Sequence, residues 1–188
     1  MIHALAYRIA NYVAKKDKTA DHEILTYGYS LIIMGFATYS AVIISALLFG
    51  VLIEMLIAIG VFMLMRTTIG GCHANHRAVC FFTYSGTLYL SIFLANVLTL
   101  DWYVVLAMYF VNVVLLILYA PGDTVEQPMV RYRHIRKVLG VIFLTFLFAI
   151  SIYFRDMRIE MNILLFVSTL TCVFLHPYIY RVYGCLKP

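Results

Sequence analysis

Long apolar runs alternate with short polar breaks along this chain, and the runs set the architecture. Between Ile24 and Met65 the only charged residue is Glu54. That stretch is too long for one membrane crossing and long enough for two, since a span needs about 20 apolar residues. Gly50 is the natural turn within it. The same pattern predicts spans near 26–48, 51–68, 78–99, 102–120, 137–154 and 160–181, with the later breaks at "LTLDW", "APGDTVEQPMVRYRHIRK" and "RDMRIE". Ahead of them, residues 1–18 form an amphipathic helix in which Ile2, Leu5, Ala6, Ile9 and Val13 follow the helical period and Lys15, Lys16 and Lys18 close it. Such a helix suits the interface of an anionic leaflet or a packing face on the bundle. Its basic cluster follows the apolar part, the reverse of a secretory signal.

The predicted fold is an all-α integral membrane bundle of about six transmembrane helices with an N-terminal amphipathic interfacial helix, in a single membrane domain over residues 1–188. Composition agrees with it: 64% of residues are hydrophobic and only 12% charged, far less charge than a soluble domain carries. The four cysteines, Cys72, Cys80, Cys172 and Cys185, do not read as a disulfide framework, because an exposed cytoplasmic thiol stays reduced.

Charge then orients the spans. With the N-terminus inside, the inner segments hold Arg8, Lys15, Lys16, Lys18, Arg66, Arg77, Arg131, Arg133, Arg136, Lys137, Arg181 and Lys187, against Arg155 and Arg158 outside. Inner loops carry the excess of Lys and Arg. Both termini and the breaks "GGCHANHRAVC" and "PGDT" are therefore expected in the cytoplasm, in a multi-pass protein of the cell membrane.

The break "GGCHANHRAVC", residues 70–80, concentrates the candidate chemistry. Gly70 and Gly71 release the backbone at the end of the second span. Asn75 is a natural N-cap for a helix beginning at His76, which puts Cys80 in its first turn or so. The positive helix end, with Arg77 nearby, favours the thiolate there. His73 lies seven residues before Cys80, roughly 10 Å along the axis of a continuous helix. Proton transfer needs contact near 3 Å, so the two meet only if His73 lies outside the helix and folds back over its start. They would then form a nucleophile and base pair. Two other readings stay open on spacing alone. Cys72, His73, His76 and Cys80 have the ligand types of a zinc site, although adjacent ligands chelate awkwardly, and the loop's polar residues would also simply face water.

The segment "RTTIGGCHANHRAVC" resembles the core of the accessory gene regulator B (AgrB) family, membrane cysteine endopeptidases of quorum-sensing propeptides. The matching positions are Arg66, Gly70, Gly71, His73, Ala74 and Cys80. "YAPGDTVEQP", "LTYGY" and the total length resemble the family too, so the likeness covers nearly the whole chain. The resemblance implies His73 as base, Cys80 as nucleophile, and Arg66 and Gly71 as supporting residues. It implies that an AgrD-like propeptide is cleaved through a thioester on the cysteine and closed to a thiolactone or lactone autoinducing-peptide precursor. Cys72 occupies a variable position, and Gln127 stands where the family often has Lys.

The expected partners are that propeptide and membrane lipids, with no nucleic acid and no cofactor or metal required. Small residues and tyrosines on the spans would let two copies pack as a homodimer. The rival class is a Cys/His metal-binding membrane protein or small transporter. Asp123 is read as a turn residue in "PGDT", with a third catalytic role as the alternative. Glu54 falls near the outer end of its span and is left out of the site. His134, Arg131, Arg133 and Arg136 form a basic stretch suited to lipid headgroups or an acidic propeptide tail. His176 reads as a helix-end residue, and the tyrosines and Trp102 as interfacial belt and packing.

Overall fold

The computed structural model describes residues 2–16, 21–72, 77–122, 132–154 and 157–184, and every regular element among them is helical. The helices fall into two compact units, Met1–Gly50 and Val51–Pro188.

In the first unit α1 (Ile2–Lys16) packs on α2 (His22–Phe49). The packing face of α1 is small: Ala6 and Ala10 are fully buried while Leu5 is half exposed. A packed face and an outward apolar edge thus coexist on one helix. Asp21 starts α2 by accepting from the amides of Glu23 (2.8 Å) and Ile24 (3.4 Å), two donors that have no partner inside the helix. Gly50 stops it as expected, in the left-handed conformation (φ 71°) with its amide turned back to Ala46 and Leu47.

The second unit holds α3 (Leu52–Ile69), α4 (Arg77–Val97), α5 (Trp102–Tyr119), α6 (Arg133–Tyr153), α7 (Arg158–Val173) and α8 (Pro177–Val182). At its centre is α7, which packs against α3, α4, α5 and α6. It is also rich in polar groups, and Asn162, Ser168 and Thr171 are buried on it. In lipid this is the expected placement: the surroundings are as apolar as leucine, so hydroxyls and amides gain by turning toward other helices. Asn112 of the strongly apolar α5 follows the same rule. It is fully buried and donates to Thr169 Oγ1 at 2.8 Å, which in turn donates to the Leu165 carbonyl at 2.8 Å. Asn162 donates across to the Leu98 carbonyl at 3.1 Å, just beyond the end of α4.

Five of the described helices, α2 to α6, are long and apolar enough to cross a membrane. The spans expected near 26–48, 51–68, 78–99, 102–120 and 137–154 match them to within a few residues. The sixth, expected at 160–181, is corrected: it is broken into α7 and the short α8. Pro177 supplies no amide hydrogen and pushes the residue before it out of the helical region. His176 accordingly sits extended (φ −67°, ψ 135°) and restarts the chain, its Nδ1 accepting from the Tyr178 amide at 3.2 Å. The 16 residues of α7 rise about 24 Å, and α8 carries the chain on beyond the break.

The Asn112–Thr169 pair gives a stability prediction. Among the described residues, Asn112 Oδ1 has no hydrogen-bond partner, so Thr169→Val leaves the whole buried amide unpaired. It should lower stability in detergent thermal unfolding by about 1–2 kcal/mol. Asn112→Leu, which removes the amide and leaves Thr169 bonded to its own helix, should cost clearly less.

Candidate active site

The site is built where α3 ends. The Gly70 amide closes the last turn onto the Arg66 carbonyl at 3.0 Å. Gly70 (φ 73°, ψ −144°) and Gly71 (φ 133°) then take conformations that side chains rarely adopt. This pair of torsions turns the chain toward the segment after α5. The Gly122 amide donates to the Ile69 carbonyl at 2.8 Å, and the Gly71 amide donates to the Gly122 carbonyl at 3.1 Å. The two strands of this bridge are single residues, Gly70 and Gly122, running parallel. All three glycines are required by contact or torsion. A Cβ on Gly122 would stand 2.7 Å from the Gly71 backbone and collide with the Tyr180 hydroxyl, and one on Gly71 would collide with the Arg66 guanidinium.

Arg66 locks the turn from the inside. From the last turn of α3 its Nη2 donates to the Cys72 carbonyl at 2.7 Å and its Nη1 to the Gly70 carbonyl at 3.3 Å. Its guanidinium also lies 5.7 Å from the centre of the Phe62 ring. A planar fork reaches two carbonyls at once, which a lysine ammonium does poorly. Arg66 and Gly71 thus act together, fixing the backbone up to Cys72, the residue before His73.

After this turn α4 begins at Arg77 and carries Cys80 as its fourth residue, with a free, half-buried thiol. Cys80 thus lies on α4 near the start of its described residues. One turn on, Thr83 Oγ1 donates to the Tyr183 hydroxyl at 3.1 Å, just past α8. His73, Asn75, His76, Asp123, Gln127, Arg131 and Cys185 lie outside the described residues.

Two further observations bear on the cysteines and cations. Cys72 is disulfide-bonded and only 8% exposed, which corrects the expectation that the cysteines stand unpaired. A bonded sulfur is no thiolate, so the ligand set Cys72, His73, His76 and Cys80 is one ligand short in this state. On α6, Arg136 donates to the Thr67 carbonyl at 3.3 Å and Lys137 to the Ile117 carbonyl at 2.5 Å. Both groups therefore neutralise the carbonyl ends of α3 and α5, while Arg133 and His134 are exposed. Glu54 sits in the first turn of α3, at the opposite end from Arg66. The bridge places the breaks at 70–72 and 120–122 on the same side of the unit, as the charge distribution requires.

Sequence reasoning did not anticipate Gly122, Tyr180, Thr83 or Tyr183. Gly122 had a signal, its place in "APGD", but it was read as part of a local turn. The others carry none beyond being polar positions in apolar helices.

The helices and this turn define a membrane protein whose candidate chemistry lies at and beside the turn that ends α3. Its class is fixed by comparison: the family model for accessory gene regulator B matches residues 6–176. The chain belongs to the AgrB family, which takes part in propeptide processing for agr quorum sensing. It is 28% identical over 162 residues to a putative AgrB-like protein of Clostridium acetobutylicum, covering 85% of this chain and 77% of that one. No solved structure matches.

The bridge is testable without an activity assay. Gly122→Ala should open it, at a cost of more than 1 kcal/mol from the backbone clash. Hydrogen exchange of peptides spanning 69–72 and 120–122 should accelerate at least fivefold, while exchange within α7 stays as in the unmodified protein.

Proposed function

We propose that this chain is a membrane cysteine endopeptidase that cleaves an AgrD-like propeptide and cyclises the product, with Cys80 as nucleophile and His73 as base. One observation carries the reading most directly. A free, half-buried thiol stands on α4 near the start of its described residues, and the turn that ends α3 is held through Cys72 by Arg66 and the Gly70–Gly122 bridge. A hydrogen-bonded backbone up to Cys72, next to His73 in sequence, and a helix bearing Cys80 support a Cys–His pair. Membership of the AgrB family supports the substrate class.

In this reading the Cys80 thiol gives its proton to the His73 imidazole as sulfur attacks the scissile carbonyl. The departing amine takes that proton, leaving a thioester on Cys80. A thiol or hydroxyl of the bound peptide then attacks the thioester, closing the ring and returning the hydrogen to Cys80. A site at the membrane surface limits water, which slows hydrolysis of the thioester relative to attack by a tethered nucleophile. The active site and both termini face the cytoplasm, and the amphipathic propeptide lies on the same leaflet. The basic stretch with Arg131, Arg133 and Arg136 contributes to capture of an acidic peptide segment.

The experiment is cleavage of a co-expressed, tagged AgrD-type propeptide in membranes. Cys80→Ser and His73→Ala should each reduce cleavage by at least a hundredfold, with normal membrane insertion. Cys80→Ala should also abolish a hydroxylamine-sensitive adduct between protein and peptide. Wild-type cleavage by both single variants would end this mechanism. Arg66→Lys should fall about tenfold or more, since one ammonium cannot hold both carbonyls.

A further inference from the structure

The short helix α8 is fastened at three points, all at the site end of the unit. At its start, the ring of His176, its N-cap, meets the edge of Tyr119, the last residue of α5, with centroids 5.2 Å apart. In its middle, Tyr180 is 3% exposed and its hydroxyl lies against Gly122, where no Cβ would fit. Just past its end, the Tyr183 hydroxyl accepts from Thr83 Oγ1 at 3.1 Å, and the Tyr183 ring packs near Phe174 with centroids 6.3 Å apart.

These contacts join the two halves of the candidate site. Gly122 is the partner of the turn that leads toward His73. Thr83 stands three residues after Cys80 on α4, and positions i and i+3 of a helix are surface neighbours, about 5–6 Å between Cβ atoms. The six-residue helix and its C-cap Tyr183 therefore touch both the backbone bridge and the helix that bears Cys80. Neither contact lies on the direct covalent path from Arg66 to Cys80.

We propose that α8 is a brace that sets the position of Cys80 relative to the glycine bridge, with Tyr183 as a positioning residue acting through Thr83. This rests on the peptidase reading for its catalytic consequence, while the mechanical link stands on the contacts alone. Tyr183 touches no reacting atom. Its hydroxyl holds the first turns of α4 in register against the end of α8, and Tyr180 holds the same helix against Gly122. Alignment matters steeply in such a site: a displacement of about 1 Å can cost on the order of a hundredfold in rate.

Two measurements on the full-length protein in detergent test this. The first is the rate at which iodoacetamide labels Cys80, followed by mass spectrometry, which needs no propeptide. The second is steady-state cleavage of a tagged AgrD-type propeptide. Tyr183→Phe and Thr83→Val each remove one hydroxyl at nearly constant shape. Each should change Cys80 labelling at least threefold and lower kcat about tenfold, with KM within twofold. Thr83→Ser keeps the hydroxyl and should behave as the unmodified protein. The double variant Tyr183→Phe/Thr83→Val should be no worse than either single one, because both remove the same bond. Labelling and kcat within twofold in both single variants would overturn the brace, as would effects that multiply in the double variant or an equal loss in Thr83→Ser. Cleavage that survives Cys80→Ser would instead overturn the peptidase reading, and labelling alone would then decide the brace.

Discussion

Two backbone hydrogen bonds between Ile69–Gly71 and Gly122 hold the functional end of this protein together. They join segments separated in sequence by two whole helices, so they fix where α3 and α5 end relative to one another. Each depends on the absence of a side chain, and the torsions of Gly70 and Gly71 are ones that other residues avoid. Arg66 then satisfies the carbonyls that the turn leaves behind. Gly70, Gly71 and Cys72 are buried, so protein groups rather than water must satisfy this irregular backbone. The turn is tolerated only because protein groups answer its polar atoms.

The same solvent logic orders the rest of the second unit. Hydrophobicity cannot sort helices in lipid, so polarity does. Asn112, Thr169, Asn162, Ser168 and Thr171 draw α7 inward and α5 toward it. The outer faces of α5 and α6 are left almost wholly apolar, with large side chains such as Phe110, Leu118 and Phe146 more than half exposed. The cations at the start of α6 obey a related rule, since Arg136 and Lys137 lie at the carbonyl ends of α3 and α5, where positive charge is favoured.

Much of this was legible in the sequence, for reasons that can be named. Uncharged windows give membrane helices directly, because every backbone group must be bonded within the helix in lipid, and Gly50 and the Gly70–Gly71 pair marked real stops. The break at residues 174–176 was not legible by hydropathy, since the apolar pattern runs through Phe174 and Leu175, although Pro177 carried the signal in its chemistry. The central place of α7 was available from its polar residues but needs the lipid argument rather than a hydropathy sum. Arg66 and Gly71 were named from the family resemblance and Cys80 from its place after the glycine pair, and all three lie in one segment. Gly122, Tyr180 and Tyr183 were not, because their roles exist only through contacts with distant parts of the chain.

That division between local and long-range residues bears on how such a site keeps its geometry. A nucleophile in the first turn of a helix is exposed to fraying, since the first amides of any helix have no internal partner. Cys80 is the fourth residue of α4, and the chain before it bends through glycines, which resist motion least. Local sequence thus supplies the chemistry and at the same time the freedom that would blur it. The remedy lies outside the segment. Arg66 fixes the carbonyls on one side, Gly122 fixes the backbone beneath them, and α8 spans from Gly122 to the first turns of α4. In the proposed reaction a thioester waits for a tethered nucleophile rather than water, so the two sides of the site must stay aligned through both steps, and a third element that touches both sides favours that.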